Sequence, residues 1–209
     1  MVARVVTVAF DGVEARRVDV EVQLVGQNQQ TIFTIVGLPD KAVAESRERV
    51  RGAFAGIGLM GLPMCRRLLA AGYRLVVWNR SSEKCQPLVD LGARAVATPA
   101  ELCAEADVVL LCLADTAAVR EVLFGKGGVA EGGKAGKLLV DHSSLEPTAT
   151  RDMAAELEFR CGMRWVDAPV SGGTAGAEAG TLAIMAGGRA EDVERVRPIL
   201  MNLGQRLTH

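Results

Sequence analysis

The sequence predicts an α/β protein built on a doubly wound, mostly parallel sheet, preceded by a small β-β-β-α N-terminal fragment. From about Phe54 onward, short apolar runs alternate with helical stretches, the rhythm of right-handed βαβ crossovers. Asp107 to Leu113 is continuously apolar after its acid, as a strand covered on both faces must be. Gly56-Ile57-Gly58-Leu59-Met60-Gly61 fits Gly-x-Gly-x-x-Gly and stands at the head of the first helical pattern, which makes the sheet Rossmann-type.

A chain of 209 residues suits one domain or two small ones. With 49% hydrophobic and 23% charged residues it can bury a core and is neither disordered nor fibrous. A net charge of −1 supplies no basic field for nucleic acid or acidic lipid, and 4% aromatics leave little for base stacking. The five cysteines (Cys65, Cys85, Cys103, Cys112 and Cys161) are odd in number and form no C-x-x-C pair. They fit neither a disulfide framework nor a zinc site, so reduced, mostly buried thiols and no metal are expected. The run Val108 to Ala114 lies between two aspartates and is far shorter than the about 20 residues of a bilayer span. The N-terminus has no secretory apolar stretch. The expectation is a soluble, cytoplasmic protein.

Val5 to Phe10 reads as a strand, with a turn at Asp11-Gly12, and Val18 to Leu24 alternates apolar with polar. Gly26 to Gln30 is a loop and Thr31 to Val36 a third strand. Gly37-Leu38-Pro39-Asp40 breaks it, and Lys41 to Arg51 has helical composition. After the glycine turn, Leu62, Cys65 and Leu69 lie on one face of a helix with Pro63 in its first turn and Gly72 at its end. Tyr73 to Trp78 is a strand, and Ser81-Ser82 caps a helix that stops at Gly92. Thr98-Pro99-Ala100-Glu101 has capping-box spacing. Further helices are expected over Thr116–Phe124, Pro147–Cys161 and Ala190–Met201, with strands at Lys137–Asp141, Met163–Val166 and Thr181–Met185. The chain shows no internal repeat.

In a Gly-x-Gly-x-x-Gly turn the first glycine permits the tight bend, the second lets backbone approach a pyrophosphate, and the third allows close helix–strand contact. Helix-terminal N–H groups then hold the anion. A glycine-rich connection without a ligand is the alternative. The next strand ends Trp78-Asn79-Arg80, where an NAD site would place an acid for the ribose. An arginine there can meet a 2′-phosphate, which favours NADP over NAD; the competing reading is an exposed arginine at a helix start. Gly128 to Ala135 nearly matches a P-loop but ends in Ala135, without a hydroxyl for Mg²⁺, and a strand follows it. It is expected to be a surface loop.

From Phe54 to His209 the chain resembles the β-hydroxyacid dehydrogenase family, the 3-hydroxyisobutyrate dehydrogenase-like enzymes that share the NADP-binding domain of 6-phosphogluconate dehydrogenase. The residues that carry the resemblance are Gly56 to Met64, Val77 to Arg80, Asp141 to Pro147 and above all Asp167 to Leu182 (DAPVSGGTAGAEAGTL). It implies cofactor contacts at Gly56, Ile57, Gly58, Leu59, Met60, Gly61, Asn79, Arg80, Leu113, Ala114 and Ser143, with Ser144 nearby and Leu113 to Val119 bordering the cofactor. It also implies that Ser171, Gly172 and Gly173 bind a substrate carboxylate. A hydroxyl beside two exposed N–H groups suits an anion, although an ordinary loop after a strand would look the same.

Residues 1–53 resemble a different family, the N-terminus of magnesium-chelatase-like, competence-associated ATPases, on Met1 to Val5 and on Thr31 to Arg51 (TIFTIVGLPDKAVAESRERVR). The expectation is two fragments joined near Val50 to Ala55. The dehydrogenase resemblance implies a general-acid lysine and a helical C-terminal domain beyond residue 209, so a truncated, catalytically impaired chain with no catalytic residue of its own is expected. The strand before the glycine turn, Arg51 to Ala55, has one bulky apolar residue, and a helix continuing from Lys41 would compete with it. Three functional readings follow: an NADP-binding domain of an oxidoreductase for small 3-hydroxy acids or their semialdehydes, a non-enzymatic fusion or scaffold that associates through uncovered apolar surface, and a role in DNA uptake.

Overall fold

The computed structural model describes residues 2–11, 14–25, 32–36 and 52–209, the first three stretches as backbone only. The expected helix Lys41–Arg51, the Gly26–Gln30 loop and Gly12 lie outside the described residues. The chain divides into two compact units, Met1–Ser46 and Arg47–His209. In the first, β1 (Val2–Asp11), β2 (Glu14–Val25) and β3 (Ile32–Val36) form an antiparallel sheet in that order. Val2 pairs with Gln23 and Asp11 with Glu14, while Val25 pairs with Ile32. These strands contain the runs expected at residues 5–10 and 18–24 and the described part, 32–36, of the run expected at 31–36.

The second unit runs β4 (Gly52–Ala55), α1 (Gly61–Ala70), β5 (Leu75–Trp78), a 3₁₀ turn (Ser82–Cys85), α2 (Gln86–Val89), β6 (Arg94–Ala95), α3 (Pro99–Glu105) and β7 (Val108–Leu111). It continues through α4 (Thr116–Phe124), α5 (Val129–Gly132), β8 (Leu138–Asp141), α6 (Pro147–Cys161), β9 (Arg164–Asp167) and β10 (Val170–Ser171). α7 (Gly173–Ala179), β11 (Leu182–Met185), α8 (Ala190–Leu200) and β12 (Gly204–Thr208) complete it. Six parallel strands lie in the order β6-β5-β4-β7-β8-β9, the doubly wound arrangement whose strand order reverses between β4 and β7. A smaller sheet, β10-β11-β12, pairs β10 antiparallel and β12 parallel to β11.

Strand alternation sorts the core into two layers. Phe54, Leu110 and Val140 face one side with Leu68 of α1 and Val196 of α8. Ala53, Ala55, Val109, Leu111 and Leu139 face the other with Leu123 of α4 and Leu157 of α6. β4 is buried at all four positions and is strand from Gly52 to Ala55, so the competing helix does not extend into these four residues. Its small residues suit a central strand over which α3 lies close.

The expected helix from Ser82 to Gly92 is instead a 3₁₀ turn followed by the single turn of α2. Pro87 has no N–H to continue the ladder, and its ring would meet the carbonyl four residues back, so a new turn starts there. Ser81 makes no side-chain cap, which corrects that expectation. Thr98 does cap: its Oγ1 accepts from Glu101 N at 3.1 Å, while Glu101 Oε2 accepts from Ala97 N at 3.0 Å. The stretch expected as a surface loop at residues 128–135 forms α5, with Val129 buried and Gly132 so close to Ala100 that a Cβ would lie 2.1 Å from its carbonyl oxygen.

Lys137, expected as an ordinary strand residue, buries its side chain under the end of α3 and donates from Nζ to the carbonyls of Cys103, Ala104 and Ala106. A cation at a helix C-terminus satisfies the carbonyls that the helix leaves open. Lys137→Met therefore strands buried acceptors and is expected to lower stability by about 1–3 kcal/mol in urea denaturation at pH 7; an unchanged midpoint would contradict this role.

Candidate functional site

The crevice of a doubly wound sheet opens at the carboxyl ends of its strands, where the order reverses. Here β4 ends at Ala55 and the chain turns at Gly56 with φ +100°. Ala55 O accepts from Cys112 N at 3.1 Å, and Trp78 O accepts from Gly56 N at 3.2 Å, so the turn is hydrogen-bonded to the ends of both neighbouring strands. A Cβ on Gly56 would fall 2.3 Å from Cys112 O, and one on Gly61 would fall 2.0 Å from Gly56 O. Backbone packing alone demands glycine at these two positions. Gly58 is different. It is exposed, and a Cβ there would meet no protein atom within 4 Å.

α1 begins beside this open position with no side-chain cap and no acid in its first turn. Leu62 N donates to Gly58 O at 3.0 Å, Met64 N to Met60 O at 3.3 Å and Pro63 has no N–H, so what the helix start offers an anion is the positive end of its dipole. Ile57 is buried, Met60 half-buried and Leu59 exposed. A cleft of about 500 Å³ flanks the turn, lined by Ile57, Gly58 and Leu59, by Arg66 and Lys84, and by Thr174 of α7.

Asn79 and Arg80 play different parts. Asn79 Oδ1 accepts from Ile57 N at 2.9 Å, and its Nδ2 donates to Ser81 O at 3.0 Å. The amide thus fastens the glycine turn to the end of β5. Arg80 is exposed and makes no hydrogen bond or ion pair among the described residues. Lys84 and Arg66 went unread in the sequence because their lysine and arginine positions look like ordinary solvated helix faces.

On the other side of the crevice, β7 and β8 are joined by a buried serine. Ser143 Oγ accepts from Leu113 N at 2.9 Å, and Ser143 N donates to Asp141 Oδ1 at 2.9 Å. Ser143 is 2% exposed, so its hydroxyl holds the Leu113 loop in place, while Ser144 and Ala114 are exposed. Burial pushes the Asp141 carboxyl up to about 6, against the hydrogen bonds from Ser143. Burial pushes the Cys112 thiol to about 11, with Asp141 adding to the shift. His142 Nδ1 lies 2.8 Å from Ala168 O, and burial lowers the ring to about 4, so it is neutral at pH 7 and enclosed. Neither group is an exposed proton donor.

Ser171, Gly172 and Gly173 are exposed at the corner between β10 and α7. Gly172 has φ +134° and Gly173 +61°, conformations that L side chains rarely adopt. Ser171 pairs with Ala183 in the smaller sheet. α7 was not expected from the sequence, since alanines and glycines give it no apolar stripe. Among the described residues no group of three or more His, Cys, Asp or Glu is placed to hold a metal, and no helix is long and apolar enough to cross a membrane.

A six-stranded doubly wound sheet with this turn defines a dinucleotide-binding domain. Residues 51–209 match the family model described as the NAD binding domain of 6-phosphogluconate dehydrogenase, and the chain belongs to that family. It is 41% identical over 155 residues to the 3-sulfolactaldehyde reductase of Escherichia coli, covering 74% of this chain and 52% of that one. Among solved structures it resembles Mycobacterium tuberculosis 3-hydroxyisobutyrate dehydrogenase with L-serine (TM-score 0.71, 33% identity, 77% of this chain and 54% of that one). It also resembles Psf3 in complex with NADP+ and 2-OPP (TM-score 0.71, 33% identity, 75% of this chain and 55% of that one). The chain thus spans about half the length of the curated relative, and its second unit is the NAD(P)-binding domain of 3-hydroxyacid dehydrogenase-like oxidoreductases.

Two predictions follow from this geometry. Gly61→Ala forces a methyl group onto a carbonyl and is expected to cost about 1–3 kcal/mol or more in urea denaturation, whereas Gly58→Ala leaves the midpoint near that of the natural chain. Equal losses would contradict the assignment. The second concerns pH. Asp141 titrates higher when folded, so its contribution is present below its unfolded range near 4 and lost as pH rises through about 6. Asp141→Asn removes that loss. Relative to the natural chain, the variant is expected to be more favoured at pH 7 than at pH 4; an offset independent of pH would contradict the buried, titrating carboxyl.

Proposed function

We propose that residues 54–209 form an NADP-binding domain of an oxidoreductase that transfers hydride between the nicotinamide and a small 3-hydroxy acid or its semialdehyde. The observation that carries the reading is Gly58, a glycine that packing does not require, beside an uncapped helix start. The diphosphate lies over Gly58, Leu59 and Met60, at the positive end of the α1 dipole. Asn79 positions this cradle through Ile57, and exposed Arg80, at the end of β5, meets the 2′-phosphate. No carboxylate stands at the end of β5 to bind an unmodified ribose, which supports NADP over NAD.

The bound nicotinamide supplies the hydride. Ser143 fixes the loop at Leu113 and Ala114 along its edge, while Ser171 with the Gly172 and Gly173 N–H groups takes the substrate carboxylate. His142 and Asp141 are enclosed, so neither is placed to protonate the carbonyl oxygen. A positioned general acid is worth about 10²–10⁴ in rate, and the 209-residue chain alone is expected to bind cofactor and turn over slowly. Residues 1–53, which resemble another family, take no part in this chemistry.

Fluorescence titration with NADPH tests the reading. Arg80→Ala removes a charge-assisted contact worth about 1.5–3 kcal/mol, so NADPH affinity is expected to fall about tenfold or more while NADH affinity barely changes. No binding of NADPH by the natural chain at millimolar concentration would overturn the proposal. Equal losses for both nucleotides would overturn the 2′-phosphate assignment.

A further inference from the structure

Arg67 lies six residues beyond the first residue of α1, about 9 Å along the helix. Its Nε donates to Asn202 O at 2.8 Å and its Nη1 to Glu178 O at 3.2 Å. The guanidinium lies flat against Gly180, where a Cβ would fall 2.2 Å from Cζ and from Nε. Gly180 has φ +70° and ends α7. Around this contact is a cleft of about 470 Å³ between α1, α7 and Asn202, lined also by Pro63, Arg66 and Ala70. Asn202 is itself held, its Nδ2 donating to Pro198 O at 2.6 Å.

The two carbonyls that Arg67 grips belong to the last turn of α7 and to the turn before β12, the segments that feed the smaller sheet. Glu178 and Gly180 lead into β11, and Asn202 leads into β12. Leu182 of β11 pairs with Gly204 of β12, and the next residue, Ala183, pairs with Ser171 of β10. One planar cation on the cofactor helix therefore braces the sheet that carries the Ser171–Gly173 corner. A guanidinium holds its two carbonyls with donors fixed in one plane, a geometry that a lysine ammonium does not impose.

We propose that Arg67 is a positioning residue that sets the Ser171–Gly173 corner relative to the dinucleotide cradle and makes binding of cofactor and carboxylate cooperative. This rests on the proposed function above. Ordering the cradle with one ligand orders the braced sheet as well, so the second ligand meets a prepared site. By linkage the effect is reciprocal.

The test combines NADPH titration of the 209-residue chain, with and without saturating 3-hydroxyisobutyrate, and amide hydrogen exchange without ligand. In the natural chain the carboxylate is expected to tighten NADPH binding about fivefold or more. In Arg67→Ala that factor falls to about one, while NADPH alone binds within about the same decade. Exchange quickens at residues 171–185 and is unchanged at residues 56–64. Arg67→Lys keeps charge and stem and restores the factor only in part. Should Arg67→Ala fail to fold, Arg67→Lys and Gly180→Ala, which pushes a methyl group into the guanidinium, carry the same comparison. Full coupling and unchanged exchange in these variants would overturn the brace, as would a natural chain that binds NADPH with no response to the carboxylate. A natural chain that binds no NADPH overturns the proposed function instead, and the exchange comparison then decides the brace alone.

Discussion

The second unit depends on a crossing of main chains too close for any side chain. Gly61 at the head of α1 rests on the carbonyl of Gly56, and Gly56 rests on the carbonyl of Cys112 at the end of β7. A methyl group at either position would overlap a carbonyl oxygen, and carbonyls at strand ends cannot retreat without breaking the ladder. This contact fixes where α1 starts, brings the positive end of its dipole to the point where the strand order reverses, and leaves Gly58 facing open space. Asn79 adds the lateral restraint by holding Ile57 N and Ser81 O with a single amide.

Across the crevice the restraint is polar and buried. Asp141, Ser143 and Leu113 N form a chain of hydrogen bonds that ties β8 to β7. Its cost is a carboxyl whose second oxygen has no hydrogen-bond partner among the described residues, and His142 Nε2 beside it in sequence is likewise unpartnered among them. Asp141 favours the folded state more as pH falls from about 6, whereas neutral His142 favours it less as pH falls toward about 4. The two groups offset each other over the same interval, so Asp141 makes up in mild acid part of the loss that His142 alone would bring.

Much of this was legible in the sequence where one signal dominated. The bounds of α6, Pro147–Cys161, follow from a proline start and the left-handed Gly162 stop, and buried β7 follows from its unbroken apolar run. The glycine turn was readable because each glycine has a separate physical reason. Reading failed where tertiary contact overrides local pattern. Pro87 splits a helix that composition alone would continue, and α7 has no apolar stripe because its glycines and alanines pack closely. β12 carries Gln205 and Arg206 at a sheet edge and reads as a tail until Leu182 and Ala183 pair with it. At the site, residue types were visible but not their division of labour. That Asn79 is a clasp, while Arg80 makes no hydrogen bond among the described residues, could come only from the structure.

The central claim is that the hollow at Gly58 is kept open for a dinucleotide diphosphate. NADPH titration of Gly58→Ala tests it most directly, because a methyl group there meets no protein atom and would meet only the ligand. The account predicts a normally folded variant whose NADPH affinity falls about tenfold or more, as expected when a backbone–phosphate approach is blocked. A folded variant that binds NADPH as tightly as the natural chain would contradict it.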